Sequence, residues 1–157
     1  MDVTIKKNQG LNKGFTLIEI LVVIGIIAIL AAVVLIAINP ARQFAQARNS
    51  QRTSNLQSIL NAIGQNMADN KGLFKCGGLP MSLSASSTVI KNGSSADIRN
   101  CIVPTYMSEI PVDPNSGTAW NGSIYDTGYE VSQSATTSRI LIKAPSAELD
   151  QNISIER

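Results

Sequence analysis

Residues 15–38 read FTLIEILVVIGIIAILAAVVLIAI, a run of 24 in which only Thr16, Glu19 and Gly25 are not apolar. As an α-helix rising 1.5 Å per residue it spans ~36 Å, enough to cross a hydrocarbon layer of ~30 Å with some tilt. A buried core helix is the competing reading, but such helices rarely stay apolar all round for so long. The stretch is therefore expected in a membrane. The rest of the 157 residues is long enough to bury a core of its own.

Composition removes several kinds of chemistry. The chain has no His, which excludes Ser-His and Cys-His catalysis and His-ligated metal. Its two cysteines have 24 residues between them, so they form neither a four-thiolate zinc site nor a CxxC redox pair. The polar leader before the apolar run carries Lys6, Lys7 and Lys13 against Asp2. A secretory signal peptide has a shorter apolar region, ~7–15 residues, closed by a small-residue cleavage site, and no such site closes this run. No Cys follows that could carry a lipid. Arg42, Arg48 and Arg52 follow the span closely, so the charge bias across it is nearly balanced and does not set its orientation.

The junction Lys13-Gly14-Phe15-Thr16-Leu17-Ile18-Glu19 is more specific. It resembles the prepilin (class III) signal of type IV pilins, pseudopilins and related filament proteins: a basic leader ending in Gly, then Phe, then an apolar helix with one Glu at its fifth position. Gly14, Phe15 and Glu19 match position by position. The resemblance implies that an aspartyl prepilin peptidase cuts the Gly14–Phe15 bond on the cytoplasmic face and methylates the new N-terminus at Phe15. Gly14 suits that step, since it has no Cβ to obstruct a protease and accepts any φ.

Glu19 needs a partner or a proton if it lies in lipid. Cleavage creates an α-amine at Phe15, and positions i and i+4 of a helix are neighbours. The amine can thus pair with Glu19 of the same chain or of an adjacent subunit, and the resemblance implies that this carboxylate draws incoming subunits into register during filament assembly. The competing reading is a Glu that merely reaches out to the membrane interface. Further along, Gly25, Ala28 and Ala32 form a small-residue stripe with Ala31 beside it, which suits close helix packing. It is not a GxxxG pair, because Ile29 takes the second position.

After residue 38 the pattern becomes amphipathic. Leu56, Ile59, Leu60, Ile63 and Met67 fall on one helical face, and Arg42, Arg48 and Arg52 are assigned to the polar part. Gly72 suits a left-handed cap. One helix of ~85 Å could run from residue 15 to about residue 71, with Pro40 expected to kink or restart it and Asn39 to cap it locally. Many pilins place a helix-breaking Pro where Ile36 stands here.

Residues 73–157 are rich in Ser, Thr, Asn, Gly and Pro, and read as a small β domain. Asn92-Gly93 and Asn121-Gly122 are turn signals, and residues 113–117 form a tight loop. The best strand pair is residues 128–133 with 139–143. Residues 103–110 have a short helical look, interrupted by Pro104. The stretch Tyr106 to Pro114 is similar to one found in pseudopilins and many pilins. The expected fold is α+β, a pilin fold: a long N-terminal helix, its first half transmembrane, packed on a small antiparallel sheet. The expected segments are a leader (1–14), a transmembrane or filament-core half-helix (15–38), an amphipathic half-helix (39–72) and a β-rich domain (73–157).

Cys76 and Cys101 then fall on the exported side, where a disulfide is expected; two free buried thiols are the alternative. Asp113, Asn115 and Asp126 offer oxygen ligands near turns, comparable in place to a calcium loop of major pseudopilins. Their spacing is not that of an EF-hand and a plain turn explains them, so the expectation is no cofactor or metal, with calcium at this loop as the alternative. Removing the leader leaves ten basic against ten acidic residues, which gives no broad surface for nucleic acid.

The expected function is a non-enzymatic structural subunit of a type IV pilus-like filament serving adhesion, motility or uptake. A pseudopilin of a type II secretion system is the alternative. The expected partners are copies of itself or other pilins, the prepilin peptidase, an inner-membrane assembly platform and the membrane. The expected location is a single membrane pass before assembly, then a surface pilus or a periplasmic pseudopilus.

Overall fold

A computed structural model describes residues 14–157. The leader expected at residues 1–14 therefore lies outside the described residues except for Gly14. The chain divides into two compact units, the first ending at Pro40 and the second covering Ala41–Arg157.

The first unit contains α1 (Leu17–Ile38). Among the described residues it is the one helix long and apolar enough to cross a membrane, over Leu17–Ile36, and none of that stretch is buried. Asn39 ends it in the left-handed region, at φ 46°. Pro40 explains the stop: it has no N–H to give and disfavours the α region for the residue before it. The same Pro40 opens α2 (Pro40–Asp69), where a fixed φ suits a first helical position. Pro40 thus restarts the helix, and Asn39 closes the preceding helix.

In the second unit, α2 buries Ala45, Asn49, Arg52, Leu56, Ile59, Leu60, Ala62, Ile63 and Asn66. These positions recur every three or four residues, as one helical face does. The sequence reading assigned Arg52 to the polar part; in the structure it is fully shielded, one turn before Leu56 on the core stripe. Its charge misled the reading, whereas its spacing from Leu56, Ile59 and Ile63 placed it correctly. The helix ends with Lys71 (φ 58°) and Gly72 (φ 88°) both left-handed. The Gly72 N–H donates to the Met67 carbonyl at 2.8 Å, satisfying one of the last helical acceptors.

The main sheet is antiparallel, in the order β3 (Thr88–Lys91), β4 (Asp126–Gln133), β5 (Ile140–Ala144), β6 (Ile153–Glu156), after a small β1 (Lys75–Cys76) and β2 (Leu79–Pro80) hairpin. The expected hairpin is present, with Glu130 opposite Lys143 and Gln133 opposite Ile140. On β4, Thr127, Tyr129 and Val131 are buried, and on β5, Ile140, Ile142 and Ala144. That alternation puts one sheet face into the same core as Leu56, Ile59, Leu60 and Ile63 of α2. Fully burying each large aliphatic side chain contributes roughly 1.5–3 kcal/mol.

The helical look at residues 103–110 is corrected. The short helix α3 is Arg99–Ile102, and Val103 is already extended. Val103 precedes Pro104, whose ring crowds the α region of the residue before it, so the helix stops upstream of the expected segment.

Candidate processing and assembly site

Glu19 is the third residue of α1, and its carboxylate turns back over the helix start. Thr16 is the N-cap, with extended φ and ψ of −82° and 153°. The Glu19 N–H donates to Thr16 Oγ1 at 3.3 Å, and Glu19 Oε2 accepts from the Thr16 N–H at 2.7 Å and the Thr16 hydroxyl at 2.8 Å. This is a reciprocal capping box, which satisfies two backbone donors that a helix start otherwise leaves open. Thr16 is the residue that the sequence reading passed over. Its signal was available as Thr-x-x-Glu directly before an apolar run.

The geometry places the candidate residues in one short segment. Gly14 and Phe15 lie just ahead of the helix and are exposed, and a Cβ built on Gly14 meets nothing within 4 Å. Among the described residues, no packing contact requires a glycine there. In the uncut chain Glu19 rests on Thr16, one residue past the position where cleavage would place an amine on Phe15. The carboxylate is thus held at Thr16, two residues past Gly14. Gly25, Ala28 and Ala32 lie exposed along α1.

The second unit carries a partly buried ionic clasp that sequence reading did not assemble. Arg52 Nε donates to Asp113 Oδ2 at 2.7 Å and its Nη1 to Glu148 Oε2 at 2.9 Å. Arg48 grips the same Glu148 through Nε and Nη2, at 2.7 and 2.6 Å. The Arg48 and Arg52 guanidinium groups draw the Glu148 carboxyl down to about 2. For Asp113 burial acts upward, but Arg52 and the Asn115 and Ser116 N–H groups outweigh it and hold it below the usual range. The Asn115 and Ser116 N–H groups donate to Asp113 Oδ1 at 2.9 and 3.0 Å. Asp126 Oδ1 instead accepts from the Gly128 N–H. Asp113 and Asp126 are thus engaged by separate partners, and among the described residues no group of three acidic or thiol side chains could hold a metal ion.

Cys76 on β1 and Cys101 on α3 are joined in a disulfide. Buried Asn66 of α2 braces it by donating to the Lys75 and Cys101 carbonyls at 2.9 and 3.0 Å.

No curated protein and no solved structure matches the chain. A family model does match, over residues 11–35, and it describes the prokaryotic N-terminal methylation motif. Residues 11–35 take in Gly14, Phe15, the Thr16–Glu19 capping box and much of the exposed apolar helix. The chain therefore carries the class III signal of type IV pilins and pseudopilins.

Proposed function

We propose that this protein is the structural subunit of a type IV pilus-like filament, made as a membrane-anchored prepilin, cut after Gly14 and polymerised through α1. The observation that carries this reading is the pairing of the methylation motif with a helix whose large apolar side chains are all exposed. Such a helix needs apolar surroundings on every side, and lipid and a bundle of like helices both supply them. Moving from the first to the second is what filament growth requires. The prepilin peptidase and an inner-membrane assembly platform are the partners this reading implies. The protein acts as a building unit, with no catalytic role.

The second reading is a type II secretion pseudopilin, since the same motif opens both kinds of chain and the stretch from Tyr106 to Pro114 resembles one in pseudopilins and in many pilins alike. Electron microscopy of sheared cell-surface material, with mass spectrometry of its subunit, separates the two. Long surface fibres built from a chain that starts at N-methylated Phe15 support the pilus reading. Processed chain confined to short envelope structures supports the pseudopilin, and a chain still starting at Met1 overturns both.

A further inference from the structure

Three Asn-x-Ser sequences lie in the second unit, at Asn92, Asn121 and Asn152. An Asn-x-Ser/Thr sequence is the acceptor pattern for N-linked glycans on exported proteins. The three differ in what their side chains already do. Ser94, the hydroxyl partner of Asn92, donates to the Val89 and Lys91 carbonyls and accepts from the Ala96 N–H. Asn121 Oδ1 accepts from the Ser123 and Ile124 N–H groups and so holds its own turn. Asn152 and Ser154 are both exposed, and neither side chain hydrogen-bonds within the described residues.

We propose that Asn152 is the acceptor of an N-linked glycan, with Ser154 as its recognition hydroxyl. The inference rests on the filament reading, which puts the second unit on the exported side. The local structure presents the site. Leu149 and Asp150 are successive left-handed residues, at φ 58° and 55°, and turn the chain outward before it enters β6. Asn49 anchors that turn, donating to the Glu148 carbonyl at 2.7 Å and to Gln151 Oε1 at 3.0 Å. Buried Ile153 anchors the other side. Asn152 is thus held between two fixed neighbours with its amide in solvent. Strand β6 is the last of its sheet, so the outer backbone edge beside Ser154 is open for an enzyme to bind. Exposed Asp150, two residues before the acceptor, adds a carboxylate that a cationic groove can hold.

The chemistry is a transfer without redox change. Asn152 Nδ2 forms a bond to the anomeric carbon of a polyprenyl-diphosphate-linked glycan. The bond from that carbon to the diphosphate oxygen breaks, the lipid diphosphate leaves with that electron pair, and the proton given up by the amide ends on the released diphosphate or in solvent. A glycan there also shields an open sheet edge, where unpaired backbone otherwise invites pairing with other chains.

The test is intact-mass and peptide mass spectrometry on protein sheared from the producing cells. The wild-type peptide spanning Asn152 should carry a glycan mass. Asn152→Gln and Ser154→Ala should each lose it, while Asn92→Gln and Asn121→Gln should keep it. Asp150→Asn should lower the occupied fraction, and unchanged occupancy would remove Asp150 from recognition. A bare Asn152 in a chain that starts at N-methylated Phe15 overturns the acceptor while leaving the filament reading intact. A chain still starting at Met1 overturns that reading and the acceptor with it.

Discussion

Arg52 and Asp113 meet through a 2.7 Å hydrogen bond although both side chains are wholly shielded from solvent. They stand 61 residues apart, so the contact ties the middle of α2 to the loop that precedes β4. Taking two charges out of water is costly, and their attraction offsets this only when the remaining hydrogen-bonding groups are also satisfied. Here they are: the Asn115 and Ser116 N–H groups complete Asp113, while Asn49 and Glu148 complete Arg52. Removing Arg52 leaves the Asp113 charge buried with no cation beside it, and removing Asp113 leaves Arg52 with Glu148 as its remaining acidic partner; breaking a buried pair typically costs about 3–5 kcal/mol. Arg52→Met and Asp113→Asn should each lower the thermal unfolding midpoint sharply for the full chain in detergent. The double variant Arg52→Met/Asp113→Leu should recover part of the loss. A single variant melting with the wild type would show the pair to be dispensable.

Acid should loosen the same clasp. The folded state holds Glu148 at about 2 and Asp113 below its ordinary value, and Arg99 likewise draws Glu109 down. Unfolded carboxylates titrate near ~4. A depressed carboxylate contributes stability that is fully present above the unfolded value and is lost as pH falls through the folded one. The unfolding midpoint should therefore change little from neutrality down to pH ~5 and fall steeply between ~4 and ~2. Glu148→Gln should flatten that fall, and an unchanged acid slope would place the titrating groups elsewhere.

Gly128 lies inside β4 at φ 70°, a conformation that side chains with a Cβ rarely adopt. A Cβ there would come within 2.8 Å of Ser116 Oγ and 3.0 Å of Asp113 Cβ. Strain and crowding act together, so Gly128→Ala should cost more than ~1 kcal/mol in stability. Gly64→Ala makes the comparison, because a Cβ at that helical position meets nothing within 4 Å and Ala favours a helix. Equal melting of the two variants would refute the close approach.

The Cys76–Cys101 disulfide joins residues 25 positions apart in sequence. On the chain-entropy account such a closure stabilises a domain by ~3 kcal/mol. Reduction, or the pair Cys76→Ser/Cys101→Ser, should lower the unfolding midpoint of the second unit while leaving α1 in the membrane. Unfolding that ignores a reductant would remove the bridge from the stability of the domain.

Sequence was most informative where one local rule decided the outcome. The apolar run, the break at Pro40 and the β4–β5 hairpin all follow from periodicity or from a single residue's stereochemistry. It was least informative where charge and position disagreed. Arg52 looked like surface because arginine rarely lies in a core, and only Asp113 and Glu148, 61 and 96 residues away, make its burial tolerable. No local pattern announces partners at that distance. Asp113 was misleading for a related reason, since a turn-forming Asp and the buried partner of a remote Arg look alike in sequence. The Thr16–Glu19 capping box, by contrast, was legible; the rarity of a carboxylate in an apolar run drew the reading to Glu19 and past its neighbour.

On the filament reading Glu19 has two separable tasks, of which this structure shows the first. In the uncut chain its carboxylate accepts from the Thr16 backbone and hydroxyl, which fixes the start of α1. After a cut at Gly14–Phe15 a charged amine stands one residue from that contact. The carboxylate can then pair with the amine of its own or a neighbouring chain, setting an axial offset that Leu, Ile and Val contacts do not specify. Glu19→Gln distinguishes the tasks: its amide oxygen still caps Thr16 but carries no charge. Glu19→Gln and Glu19→Ala should both insert and be processed, yet lose most of their yield in sheared fibres, whereas Glu19→Asp should lose less. The measurement compares processed protein in membranes with protein in fibres for each variant. Normal fibre yield from Glu19→Gln with loss from Glu19→Ala would assign assembly to the cap alone, and normal yield from both would leave only the apolar helix to drive it.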